Sequence, residues 1–278
     1  MSENSRMARY HANEEPAPQQ QSAPPATGYQ RRPALARWVA FLILLLTVTV
    51  GLRVTVFNAT YTAGVVSRSS FGEKIINRLN DDLQNLGVAG APITSSIAQP
   101  YLAVGVAQLY GDTTSASVDT SELTTAVSSQ AQAMGVTASS KLIASMATTA
   151  QKRAKAAFNT SAMSQAAVQV QRARKLNFWV MLAALMLLVV TFFYALSVHH
   201  VFASLGPGLA LGGLLTGLVG LAGYFGLPLV LSGNSQAVNQ LLTTIGRSGL
   251  GVVMFAGVAE VVVGLLVLLG HHTFRQEN

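Results

Sequence analysis

The chain has 278 residues, half of them hydrophobic and only 10% charged, with a mean hydropathy of +0.42 and a formal net charge of +7. Soluble domains carry about 25% charged residues, so this deficit, with apolar residues gathered into blocks, makes lipid the expected solvent for much of the chain. No cysteine occurs, which excludes disulfides, zinc–thiolate sites, iron–sulfur clusters and a thiol nucleophile and fits an exported bacterial envelope protein.

Residues 1–33 read as a disordered tail. Pro16, Pro18, Pro24 and Pro25, with a run of glutamines between them, leave no apolar period from which to build a core. Arg31, Arg32 and Arg37 lead into the first apolar block within 34–57. About twenty residues at 1.5 Å each match a hydrocarbon core of about 30 Å. The n-region is long for a signal peptide and no small-x-small cleavage site follows Val50, so the block reads as an uncleaved anchor.

Residues 58–176 read as an all-helical extramembrane domain. Ser70-Phe-Gly-Glu73 has capping-box spacing and is followed by a stripe of Ile75, Ile76, Leu79, Leu83 and Leu86, with Gly87 as the stop. A second helix is expected over 93–109, with Pro100 inside it. Asp119-Thr-Ser-Glu122 repeats the cap spacing ahead of Leu123, Val127, Ala131 and Met134, and Leu142, Ile143 and Met146 seed another helix. The stretch from Ser161 onward can run unbroken into the second apolar block. The outer helices of the domain read as extensions of the flanking spans, a stalk topped by a hairpin or bundle. No strand-like alternation occurs over any length.

Three further apolar blocks cover 177–198, 205–231 and 250–270, with Pro207 and Pro228 near the ends of the third span. Between the last two, Val238, Leu241, Leu242 and Ile245 fall at helical spacing, so 235–246 reads as an interfacial amphipathic helix. Residues 271–278 form a C-terminal tail. The fold class is thus an all-α integral membrane protein, four transmembrane helices with a helical extramembrane domain between the first and second. The N-terminal arginines place both termini in the cytoplasm. The ten Lys and Arg of the long loop argue less, because loops beyond about 60 residues largely escape the charge rule.

Glu260 is the most informative residue. It lies at the centre of the fourth span, where an acid costs roughly 2.5 kcal/mol or more on insertion scales, so it should face other helices or water. Ala256 and Gly264 share its face at i−4 and i+4 and allow a neighbouring helix to approach closely. Thr216 in span three and Thr47 and Thr49 in span one lie at similar depth, where a hydroxyl pair would hydrogen-bond a neutral carboxylic acid. The plain reading is interhelical glue; the functional ones are pairing with a partner subunit and proton or cation coupling. Span three adds the helix-docking motif Gly213-x-x-x-Gly217, and Ala222-x-x-x-Gly226 further along.

His199-His200 and His271-His272 end spans two and four. Histidine is favoured at a helix C-terminus by the dipole, and adjacent imidazoles point apart, so no metal site is assigned. Asn58-Ala-Thr60 and Asn159-Thr-Ser161 match the N-glycosylation acceptor. No hydrolase, kinase, Walker or zinc-protease motif occurs, and six acidic residues are scattered over the outer domain. The expectation is a non-enzymatic protein without cofactor or nucleic-acid partner. Its outer domain would bind a protein or ligand, and its bundle would dock a membrane protein partner or a second copy. The alternative is a small transporter or transporter subunit coupled through Glu260.

Overall fold

The computed structural model describes residues 33–85, 88, 90–112, 118–135, 137–197, 201–231 and 235–276; the side chains of 33, 201–204 and 271–276 stand outside that description. The expected N-terminal tail, Leu86 and Gly87, and His199-His200 therefore lie outside the described residues, as do the side chains of His271-His272. Everywhere else the chain is helical or irregular, without a strand. Among the described residues, nine helices follow in order: α1 (Pro33–Val54), α2 (Ala59–Ser67), α3 (Ser70–Asn85), α4 (Ser95–Leu109), α5 (Ser121–Ala133), α6 (Ser140–Phe158), α7 (Ser161–Ser197), α8 (Val201–Val230) and α9 (Gln236–Gln276). Four of them contain segments long and apolar enough to cross a membrane: Ala34–Val54, Ser161–Ser197, Leu205–Val230 and Gln236–Gly270.

These four helices form an apolar bundle. α1 packs against α7, α8 and α9, α8 and α9 pair along their length, and α7 touches α8 and α9 only marginally. Val39, Ala40, Leu42 and Ile43 bury one side of α1. Asn177 Nδ2 donates to the Thr49 carbonyl over 2.9 Å and ties α7 to α1. Large apolar side chains cover the outside of the bundle, among them Phe193 on α7, Leu229 on α8 and Phe255 on α9, the last two 80% and 77% exposed.

Helices α2 to α6, the first turns of α7 and the start of α9 share a second core, built on Val66, Ile76, Leu79, Leu102, Leu123, Val127, Met146, Phe158, Leu241 and Ile245. α4 sits centrally, against α2, α6 and α7. Local chemistry fixes the ends of these elements. Asn58 caps α2 by accepting from the Tyr61 amide, and Ser139 caps α6 by accepting from the Leu142 amide. Asn80 brackets Ile93, donating to its carbonyl at 3.1 Å and accepting from its amide at 3.0 Å. Glycines at positive φ, Gly111 and Gly135, follow α4 and α5.

Several expectations change. The chain does not continue from the first apolar helix as a stalk: α1 ends at Val54, and Asn58 starts a separate helix. Its Oδ1 accepts the capping bond from the Tyr61 amide. Ser69, not Ser70, accepts from the Gly72 amide at the start of α3. Similarly, α5 begins at Ser121, one of whose bonds goes to Asp119 Oδ1. Pro100, as expected, lies inside α4, and Pro207 and Pro228 lie inside α8.

The largest difference is at the end of the chain. The segment 235–246 and the span 250–270 are one continuous helix, α9, which also includes 271–276. Glycine inside a helix costs about 1 kcal/mol, but here Gly246 and Gly249 are seats for neighbours. A Cβ on Gly246 would lie 2.4 Å from Leu227 Cδ2, and one on Gly249 would lie 2.3 Å from Val56 Cγ2. The amphipathic stripe Val238, Leu241 and Ile245 is buried in the core of α2 to α6, so its apolar face is already covered by protein.

Candidate functional site

Polar chemistry gathers at a junction around Glu260 inside the bundle and at a cavity in the α2–α6 domain.

At the junction, α9 presents Glu260 towards α1, and Thr47 Oγ1 donates to its Oε1. Thr49, the other threonine of that stretch, donates instead to its own helix, to Leu45 O at 2.7 Å and Leu46 O at 3.0 Å. Glycine brings α8 against the same turn of α9. A Cβ on Gly213 would lie 2.5 Å from the Gly257 carbonyl and 2.8 Å from Glu260 Cβ. One on Gly257 would lie 2.7 Å from the Gly213 carbonyl and 2.9 Å from the Gly217 amide nitrogen. Two turns away, Gly264 rests on the Ala210 backbone, with a Cβ position 2.5 Å from the Ala210 nitrogen. The two backbones are therefore in contact, which only glycine allows.

The expected residues divide accordingly. Glu260, Gly213, Gly264 and, through its amide, Gly217 meet in the α8–α9 contact, and Thr47 joins them from α1. Thr216 is fully buried beside Gly257, yet its Oγ1 has no hydrogen-bond partner among the described residues, and neither has Glu260 Oε2. Ala256 is half-buried, and a side chain added at Gly226 would meet open space. Sequence reasoning missed Gly257 and Ala210, the closest approaches. Spacing marked Ala256 and Gly264, at i±4 from Glu260, whereas Gly257 is at i−3.

The second place is a cavity of about 590 Å³ bordered by α2, α4 and the start of α5. Pro100, Ala103, Val104, Ala107 and Val118 supply an apolar wall, and Gln99, Asp112, Asp119 and Glu122 are polar groups on the lining. Arg174 Nη1 donates to Asp112 Oδ1 at 2.9 Å and to the Tyr110 carbonyl at 3.1 Å, so Asp112 is already paired. The Ser121 amide and hydroxyl hold the Asp119 carboxyl below the usual range, so it is ionised at neutral pH. Glu122 is exposed.

The domain also holds a buried hydroxyl network. Thr62 Oγ1 and the Tyr110 hydroxyl are 2.8 Å apart, and Tyr110 donates to the Val56 carbonyl. Burial pushes the Tyr110 phenol up to about 12, against the pull of the Thr62 hydrogen bond and of Arg174. This network joins the turn after α1 to the end of α4. No sequence signal marked it, because the two hydroxyls are 48 residues apart.

Among the described residues no cluster of His, Asp and Glu has metal-binding geometry. Comparison with protein-family models, with curated proteins and with solved structures finds no match.

Proposed function

We propose that this chain is a non-enzymatic multi-pass protein of the cell membrane. Both termini are cytoplasmic, the α2–α6 domain lies outside, and that domain binds a ligand or protein segment. The four-helix bundle anchors the domain and docks a membrane partner or a second copy. Membrane insertion is supported by the continuous apolar exterior of α7, α8 and α9, which water would not tolerate over this area. Docking is supported by α7, whose contacts within the bundle are almost confined to α1.

The observation that carries the recognition reading is the cavity on α4. Its volume falls in the ordinary range for ligand pockets, about 300–1,000 Å³. An apolar wall with Asp119 and Glu122 beside it suits an amphipathic ligand or peptide segment carrying positive charge. The chain contains no cysteine, so one Ala103→Cys residue is a unique probe of that wall. In the full chain purified in mild detergent from native membranes, a co-purifying species should shield this cysteine from a maleimide. Asp119→Asn with Glu122→Gln should remove both the species and the shielding. Equal, full labelling of both proteins with nothing bound contradicts the reading. The same approach with Lys141→Cys in intact cells tests orientation: labelling by an impermeant maleimide only after lysis reverses it.

One observation favours a second reading, a small transporter or transporter subunit. The buried Glu260 Oε2 has no partner among the described residues, as a proton- or cation-coupling carboxylate would need. Proton or cation flux into liposomes that is abolished by Glu260→Gln would support it.

A further inference from the structure

A second cavity, of about 400 Å³, opens where the apolar part of the bundle gives way to the α2–α6 domain. Its lining includes Arg53, Asn58, Arg174, Lys175, Asn177 and Phe178. Arg53 is in the last turn of α1, and Lys175 stands on α7 just before its apolar run. No carboxylate lines this space. Arg174 is occupied by Asp112 and the Tyr110 carbonyl. Arg53 and Lys175 have no carboxylate partner among the described residues; the Arg53 guanidinium instead lies over the Phe178 ring, 5.4 Å from its centroid.

The floor is fixed rather than accidental. Asn177 is buried and bonded to the Thr49 carbonyl, which holds α7 and α1 at a set distance below the cations. Below that level the surface of α7 turns apolar at once, with Trp179 and Met186 more than half exposed. The cavity thus combines two uncompensated cations, amide donors and an adjoining hydrophobic surface.

We infer that this cavity binds the phosphodiester headgroup of an anionic phospholipid, with Arg53 and Lys175 as the charge contacts and the acyl chains lying along Trp179 and Met186. The phosphate oxygens match the cations and amide donors. Free inorganic phosphate offers the same oxygens but leaves the apolar flank uncovered, which is why the lipid is assigned. The inference rests on the membrane-spanning reading above.

The test uses the full chain in mild detergent, titrated with phosphatidylglycerol, with phosphatidylcholine or with inorganic phosphate, and read by native mass spectrometry and melting temperature. Phosphatidylglycerol should be retained at one per chain and raise the melting temperature, while phosphatidylcholine and phosphate should do neither. Replacing both Arg53→Gln and Lys175→Gln should weaken retention by about 20- to 30-fold, two surface charges' worth. Arg53→Lys with Lys175→Arg should restore most of it, and Lys141→Gln, an exposed cation elsewhere, should change nothing. Equal retention of phosphatidylcholine overturns the inference, as does an unaltered double variant. Protection by inorganic phosphate equal to that of the lipid assigns the cavity to a soluble anion and overturns the lipid. Separately, release of the chain from membranes by alkaline carbonate would remove the membrane reading itself, so the two failures are distinguishable.

Discussion

The α2–α6 domain and the apolar bundle are both helical, yet they hold together by different means. The domain buries large side chains: Tyr101, Leu102, Leu123 and Met146 are almost wholly enclosed. The bundle does the reverse. It encloses a few large side chains, Leu42 among them, but most point outward, and its closest contacts are made by backbone at Gly213, Gly257 and Gly264. Water drives the first kind of packing through the hydrophobic effect. In lipid that drive is absent between helices, and close van der Waals approach with a few polar contacts replaces it. The Glu260–Thr47 and Asn177–Thr49 bonds are polar contacts of this kind in the bundle. The domain also has glycine seats: a Cβ at Gly72 would lie 2.1 Å from the Val66 carbonyl, local to a turn, and one at Gly105 would lie 2.4 Å from Phe158 Cδ2, where α4 meets a side chain of α6.

The contrast can be broken most forcefully by one substitution made in both regions. Leu102→Ala in the domain should cost about 2–5 kcal/mol, as deletion of a buried leucine does, seen as a lower denaturant midpoint for the domain. Leu218→Ala on the exposed face of α8 should leave stability in lipid or detergent nearly unchanged. Equal losses would mean that the outside of α8 is covered.

Next in size, Gly213→Ala adds only a methyl group but should cost about 1–3 kcal/mol by forcing apart two backbones in contact. Fluorescence-detected size exclusion after a heating series would report it. Unchanged thermal survival would mean that the α8–α9 contact is looser than described.

Alkali should act on the domain alone. The Tyr110 phenol is raised from 10.0 to about 12, so above pH 10 the unfolded chain loses its proton first. Stability from this group is full below pH 10 and falls by about 1.4 kcal/mol per pH unit until pH 12. Tyr110→Phe should flatten that part of the profile; an equally steep slope in the variant would assign it elsewhere. Smallest of all, Asn58→Ala should remove the α2 cap and cost about 1 kcal/mol, measurable as a modest drop in melting temperature.

Much of this was legible in the sequence because composition and period report solvent directly. The four apolar blocks, the helical period of Ile75, Ile76, Leu79 and Leu83, and the unbroken run from Ser161 all follow from that. Depth counting along the spans also brought Thr47 towards Glu260. It failed to separate Thr47 from Thr49 and Thr216, because rotation about each helix decides which hydroxyl reaches the carboxyl. The start of α9 was misread for a physical reason. An apolar stripe of Val238, Leu241 and Ile245 has the same period whether it faces a membrane surface or a protein core. The cavity on α4 was not legible at all, since its wall joins Thr60, Gln99 and Glu122 from three separate elements.

The central claim is that recognition resides in the α4 cavity while the Glu260 junction holds the bundle together. Native mass spectrometry of the full chain purified from its own membranes tests it most directly, with Ala103→Trp set beside Glu260→Gln. The account predicts a bound species that is lost when the tryptophan fills the cavity and retained when the glutamine keeps the Thr47 bond. Retention in the first and loss in the second would contradict it and move the activity into the bundle.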